Sequence, residues 1–457
     1  MKMTQNIICA GVALLAAGAL VADKPTKKAG GDDPSNGEKS TEEVDSGEKE
    51  DPPVVPPKAI SEQIRKGLQY LAKVQSKDGG WGQGGGWRLG GKGGGRVQPD
   101  QAEDRSDVGN SVVALISFMR AGQDLRTGEY AENLRKGVEY VFSTIEKCND
   151  ETLFVTHVRD TQLQSKIGRY VDTFLAAQLL AELKGQMLTP EAEERRANLL
   201  DAVVVKIGKH QGKDGAFAGN AGWASVLSQG LCSRSLNAAR LAGAKVSDEM
   251  LERDNLQNLV AANPQVAVSG AGGGPTSAGV SLYFSSSKVR GLVENSVVNV
   301  RRAQEFQRTL DSAAASDADK RTAKVELRKI ADAEEAKDQV VAQVAQDVGK
   351  EAFVKGFGNN GGEEFLSYMN ISETLRINGG KEWQDWDQKI TKTINGAQNE
   401  DGSWSGHHCI TGRTFCTSGA LLTLMADRAP MPAVEKATER KGLTKTETSE
   451  KPAKVAQ

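Results

Sequence analysis

The stretch Gln398–Leu424, QNEDGSWSGHHCITGRTFCTSGALLTL, decides the fold because its parts recur upstream in the same order. A helix running up to Gln398 meets Asn399, Asp401 and Gly402, turn formers that stop it. Trp404 follows, and a second apolar helix begins near Thr411. The same form stands at Gln75-Ser76-Lys77-Asp78-Gly79-Gly80-Trp81 and at Gln211-Gly212-Lys213-Asp214-Gly215-Ala216-Phe217, so a Gln-x-x-Asp-Gly-small-aromatic plug occurs three times. Glycine gives such a turn its positive backbone angle, Asp bonds nearby amides, Gln reaches groups left open at the helix end, and the aromatic covers the junction between units. The plug residues are therefore expected to stabilise rather than to catalyse.

Leu134-Arg135-Lys136-Gly137-Val138-Glu139-Tyr140 matches Ile64-Arg65-Lys66-Gly67-Leu68-Gln69-Tyr70, which marks a degenerate copy whose turn aromatic is expected at Phe154. Trp81, Phe154, Phe217 and Trp404 are then separated by about 73, 63 and 187 residues, the last gap leaving room for two decayed repeats. Six helical hairpins fit.

The plug resembles the QW repeat of the prenyltransferase and squalene oxidase repeat family, seen in squalene-hopene cyclases and more weakly in protein prenyltransferase β subunits. The resemblance covers roughly Ile60 to Met425. It implies an all-α fold, an α/α toroid in which inner helices ring a central cavity and outer helices wrap them. It does not carry the family's chemistry. An Asp-x-Asp-Asp run is missing between 59 and 429, with Asp32-Asp33 lying upstream; an Asp-x-Cys pair and a Gly-Cys-Gly-Glu-Gln thioester motif are missing too.

The 457 residues, net charge −2 and 38% hydrophobic content suit one large domain with tails, and no basic excess points to nucleic acid. Residues 1–22 read as a secretory signal: Lys2, an apolar run from Ile7 to Leu15 too short to span a membrane, and small residues Ala17, Ala19 and Ala22 at a cleavage site. Export to the periplasm or the outside is expected, with a mature chain starting near Leu20 or Asp23 and no transmembrane segment. Residues 23–58 form an acidic, Pro-containing linker and 430–457 a tail, both too poor in large apolar residues to offset the entropy of ordering.

Between them, 59–429 is expected to form the ring. The spacing predicts outer helices over Ala59–Val74, Tyr130–Ile145, Leu199–Lys209, Asp248–Ala262 and Trp383–Ile394. Their inner partners follow Asp107 and span Arg169–Leu183, Ala224–Ala242, Ser277–Phe284, Phe365–Ile377 and Thr411–Met425. The charged, proline-free stretch 288–350 reads as two long helices joined by a turn and packed mostly on each other, an expanded fifth outer element inserted so that it projects from the ring. Gly82 to Gly95 is too rich in glycine for regular structure, and it lacks the Gly-Lys-Ser/Thr ending of a phosphate loop.

Chemistry is expected at the ends of the inner helices. Asp172, Glu363, Glu364 and His407 are the candidates for acid–base work, and Arg169 and Tyr170 for binding. Carboxylates at helix starts also simply complement the dipole. His407-His408-Cys409 with Cys416 has ligand-type residues but no fourth ligand at recognisable spacing, so metal, a Cys409–Cys416 disulfide and free thiols stay open in rising order, and no metal or other cofactor is expected. A binding module for a lipid, glycan or protein ligand is the first function class. An enzyme acting on an isoprenoid-like or polysaccharide substrate is the alternative.

Overall fold

The computed structural model describes residues 55–87, 96–97, 104–148, 151–260, 279–358 and 360–430. The signal-like segment 1–22, most of the linker, the middle of the glycine-rich turn, Gly270–Gly274 and the tail 431–457 lie outside the described residues.

The chain is all-α. Among the described residues its helices are α1 (Glu62–Lys73), α2 (Val108–Arg120), α3 (Ala131–Lys147), α4 (Gln162–Lys166), α5 (Val171–Glu182), α6 (Pro190–His210), α7 (Val226–Leu241), α8 (Asp248–Val260), α9 (Ser281–Asp311), α10 (Asp317–Asp347), α11 (Glu351–Val354), α12 (Gly362–Asn378), α13 (Gly380–Gly396) and α14 (Arg413–Leu424). Starts follow side-chain caps: Ser61 accepts from the Ile64 amide, Asp107 from Asn110, and Thr189 from Ala192 with Pro190 in the first turn. Across the glycine-rich turn, where no regular structure is expected, Gly86–Trp87 pairs with Arg96–Val97 as a two-residue antiparallel ladder.

Two kinds of helix alternate. α1, α3, α6, α10 and α13 bury one stripe and leave the opposite face wet, whereas α2, α5, α7, α12 and α14 bury nearly every residue. The buried series packs α2 on α5, α5 on α7, α7 on α9, α9 on α12, α12 on α14, and α14 back on α2.

The fourth inner helix differs most from expectation. It is not a short element near Ser277–Phe284 but the first half of the 31-residue α9, in which Leu282 through Asn299 are largely buried against α7, α8 and α12. The expected boundary at Lys288 therefore cuts through a core helix. The charge-rich half of α9 and all of α10 read as one unit because β-branched Val289, Val293 and Val298 are spaced among polar residues. α6 likewise starts at Pro190, well before Leu199.

The plugs bind each hairpin to the next. Trp81 and Trp404 are fully buried and Phe217 nearly so. The indole nitrogens donate to Leu71 O and Ile394 O, each at 2.7 Å, on their own outer helices. Gln75 Nε2 donates both to Gly79 O within its turn and to Asn133 O of α3 at 2.9 Å. Gln211 Nε2 reaches Met250 O of α8 at 3.1 Å, and Gln398 Nε2 reaches Gln63 O of α1 at 2.9 Å. Asp78, Asp214 and Asp401 each accept the amide two residues on. Gly79, Gly215 and Gly402 have φ of 90°, 82° and 85°. A Cβ on any of them would also strike the backbone carbonyl of Lys136, Arg253 or Lys66 on the next outer helix.

Phe154 does not fill the equivalent place. It is half-buried between Tyr170 and the Arg159 guanidinium, 3.6 Å above its ring. The buried Leu153 takes the plug position: its carbonyl accepts from Thr173 Oγ1 at 2.7 Å, as the Trp81 and Trp404 carbonyls accept from Ser111 and Thr417.

Among the described residues, the apolar pocket between the inner helices is nearly filled. Val113, Ile116, Leu175, Leu231, Leu366, Met369 and Phe415 leave about 20 Å³ between them, barely room for one water. Deeper along the helices, three guanidiniums meet three carboxylates, all nearly inaccessible. Arg120 forks onto Glu182 at 2.8 and 3.0 Å. Arg234 bridges Glu182 at 3.6 Å and Glu373 at 2.7 Å, and Arg290 reaches Glu373 at 2.9 Å and also pairs with Glu294. Burial pushes the Glu182 carboxyl up, but the Arg120 charge and hydrogen bonds, with the Arg234 charge and Gln178, outweigh it and hold it down at about 2.

Candidate functional site

The opposite ends of the inner helices gather acids, thiols and rings. α12 begins where Gly361 packs on His408 and the Gly362 amide donates to Ile410 O at 3.0 Å, which brings the loop before α14 onto the first turn of α12. Glu363 and Glu364, in that turn, are fully buried. Glu364 Oε1 accepts from Tyr283 OH at 2.6 Å and from the Phe357 amide at 3.0 Å, while its Oε2 caps the Gly361 amide at 2.9 Å. Glu363 Oε2 accepts weakly from the Ile410 amide at 3.4 Å. Its Oε1 has no hydrogen-bond partner among the described residues. Burial pushes the Glu363 carboxyl up to about 7, with the hydrogen bond from Ile410 and the Lys166 charge pulling the other way.

His408 and Cys409 face these acids. His408 Nε2 lies 3.6 Å from Glu364 Oε1, and neither ring nitrogen has a hydrogen-bond partner. Cys409 is held at φ 52°, a left-handed angle uncommon outside glycine. Burial, then the neighbouring Glu363, pushes its thiol up to about 12. Glu363, His408 and Cys409 place one ligand atom each within 4.8 Å of one another. Cys409 and Cys416 are both free thiols, and Cys416 Sγ turns to Ile410 O.

Over this cluster lies an aromatic patch. Phe357 and Trp223 are 53% and 40% exposed, the two rings among the large apolar side chains that stand out into solvent in the described residues. They meet edge to face at 5.8 Å, and Phe357 meets His408 in the same way at 5.0 Å. Lys166 Nζ stands 6.0 Å from the Trp223 ring. The Trp223 loop is held by its amide and that of Ala224 donating to Ser165 O and Lys166 O.

The other expected residues fall elsewhere. His407 is exposed, its amide donating to Asn360 O and its ring 6.4 Å from that of His408. Exposed Arg169 and half-buried Tyr170 lie along the loop after Phe217, where Tyr170 OH donates to Ala218 O at 3.0 Å. Asp172 does not join Glu363. It is buried beside Asp107, accepts from Gln164 Nε2, and packs on Gly109 at the start of α2. Burial, then the Asp172 charge, pushes Asp107 up to about 8; burial pushes Asp172 up to about 6.

A wider groove of about 1030 Å³ runs along Tyr70, Gln75, Asp78, Asp104, Asp401 and Arg413. Part of its polar wall is engaged, with Arg413 on Asp401 at 2.6 Å, Gln75 on two carbonyls, and Asp78 on Gly80 and Ser106. Glu363 and His408 were each readable as chemistry-bearing types. Their meeting, and the part of Trp223 and Phe357, depends on contacts between hairpins that no local motif encodes.

No protein-family model and no curated protein matches the chain. No described helix is long and apolar enough to cross a membrane.

Proposed function

We propose that the protein is an exported α/α toroid of QW-type hairpins whose business end is the aromatic patch above Glu363 and His408, and that it binds a glycan there. Support for the toroid comes from the closed order of inner-helix packing and from Gln398 reaching α1. A binding module without the family's cyclase or zinc-transferase chemistry fits the apolar pocket between the inner helices, whose volume of about 20 Å³ is far too small for an isoprenoid. The observation that carries the glycan reading is the exposed Trp223–Phe357 pair set beside Lys166, His407 and His408. Flat apolar faces ringed by polar groups suit the C–H faces and hydroxyls of sugars better than lipid tails.

Titration of the purified chain with soluble oligosaccharides, read by tryptophan fluorescence and calorimetry, tests this. Binding that falls at least tenfold in Trp223→Ala and in Phe357→Ala, both with unchanged melting, is the expected result. Equal affinity in both variants, or binding of lipid vesicles alone, overturns it. The catalytic alternative has Glu363 behind it, a buried carboxyl that burial pushes up to about 7 and that lies near His408, whose ring meets Phe357, as a candidate general acid. Release of shorter oligosaccharides that stops in Glu363→Gln would decide for that alternative.

A further inference from the structure

We propose that Glu363, His408 and Cys409 form a binding site for a divalent transition metal of the zinc class, beneath Phe357. The donor set is one carboxylate oxygen, one imidazole nitrogen and one thiolate sulfur. The thiolate and imidazole favour zinc or cobalt over magnesium or calcium, which take oxygen ligands.

Three features of the structure point at an ion. The Glu363 side chain is wholly buried, and its Oε1 has no donor among the described residues. A buried carboxylate oxygen left without a partner is costly, and a cation supplies that partner. Both nitrogens of His408 are equally without hydrogen bonds, although the ring is fixed by Phe357 on one side and by Gly361 on the other, where a Cβ would stand 2.9 Å from Cε1. The loop also holds Cys409 at φ 52°, an angle that costs free energy and recurs where a side chain must be aimed. Gly406 makes that loop possible, since a Cβ there would overlap Ile410 O.

The three ligand atoms lie within 4.8 Å of one another. Ligands about 2.0–2.3 Å from a tetrahedral zinc stand roughly 3.5 Å apart, so the side chains need to close by about 1 Å. Glu364, anchored by Tyr283 and 3.6 Å from His408 Nε2, is the carboxylate placed to accept from that nitrogen when Nδ1 binds the ion. Lys166 is the nearby cation whose charge acts on both Glu363 and Cys409, and it is the group a bound metal must outcompete. Three protein ligands leave the fourth position of a tetrahedral ion to water or to a ligand.

The test uses the full chain, stripped of metal and titrated with Co²⁺ in the absence of any glycan, so its outcome is independent of the glycan reading. One Co²⁺ per chain is expected, with tetrahedral visible bands and a thiolate charge-transfer band. Cys409→Ser should abolish the charge-transfer band, and Glu363→Gln and His408→Ala should weaken binding at least tenfold. Cys416→Ser should leave both unchanged. Since a loop variant can fail to fold, alkylation of the wild-type chain gives a second readout: Zn²⁺ should slow modification of Cys409 at least tenfold. A wild-type chain with no charge-transfer band, a band that survives Cys409→Ser, or no zinc protection overturns the proposal.

Discussion

Gly402 approaches Lys66 so closely that a Cβ on it would stand 2.6 Å from the Lys66 carbonyl oxygen, which ties the last hairpin to the first. Gly402 also has φ 85°, so any side chain there is strained twice. Gly402→Ala is expected to cost about 1–3 kcal/mol for the backbone angle alone, and more for the displaced helix. Gly396→Ala, where a Cβ meets nothing within 4 Å, should be neutral or slightly stabilising. Denaturant unfolding of both variants checks this, and equal midpoints would show that the contact is slack.

Trp404 makes the same junction from the apolar side. Its ring fills the space over Gly67, where a Cβ would come within 2.9 Å of Cζ3, and its nitrogen is satisfied by Ile394 O. Trp404→Ala should cost about 3–5 kcal/mol, a large part of a domain stability of roughly 5–15 kcal/mol. Thermal melting reads it directly; a wild-type midpoint would mean the ring is not part of the core.

The plugs were legible because each residue serves a local need that only certain types meet: Gly for its angle, Asp for its amide, the aromatic for its area. The alternation of one-sided and all-round apolar helices was legible for the same reason. Leu153 was not, since burial at a plug position asks for any large apolar side chain and leaves no signature. The buried arginines and glutamates were invisible for a different reason. Arg234 and Glu373 look like surface residues until the packing of distant helices places them 2.7 Å apart. The same holds for Glu363 with His408, which lie on different hairpins.

The reading of 288–350 as a separable insertion fails on Val289, Leu292, Val293 and Val298, which are buried in α9. Deleting 288–350 with a short linker is therefore expected to abolish cooperative unfolding rather than to leave a folded ring. Trimming only 304–321, where nearly every side chain is exposed or half-buried, to a short Gly/Ser turn should keep a cooperative transition. Circular dichroism melts of the two deletions separate the cases. Cooperative unfolding of the longer deletion would restore the insertion reading.

Asp107 gives the fold an unusual pH dependence. It caps α2 through the Asn110 amide and side chain, each at 2.8 Å, yet burial and Asp172 push it up to about 8. An unfolded Asp titrates near 3.9, so between about 4 and 8 the folded chain holds more protons than the unfolded one. Stability from this group is thus fully present below about 4 and lost as pH rises toward 8. Its buried neighbour Asp172 is also pushed up by burial and adds to the loss. Glu182, held down to about 2, acts oppositely: its contribution is present above its unfolded value and lost as pH falls toward 2. From these three groups stability should therefore peak near pH 4. Asp107→Asn keeps a capping side chain but removes the charge, and it should raise stability at pH 8 by at least about 1 kcal/mol while changing little at pH 4.5. Urea midpoints measured across that range check the slope, and parallel curves for the variant and the wild type would show that Asp107 is ionised without penalty.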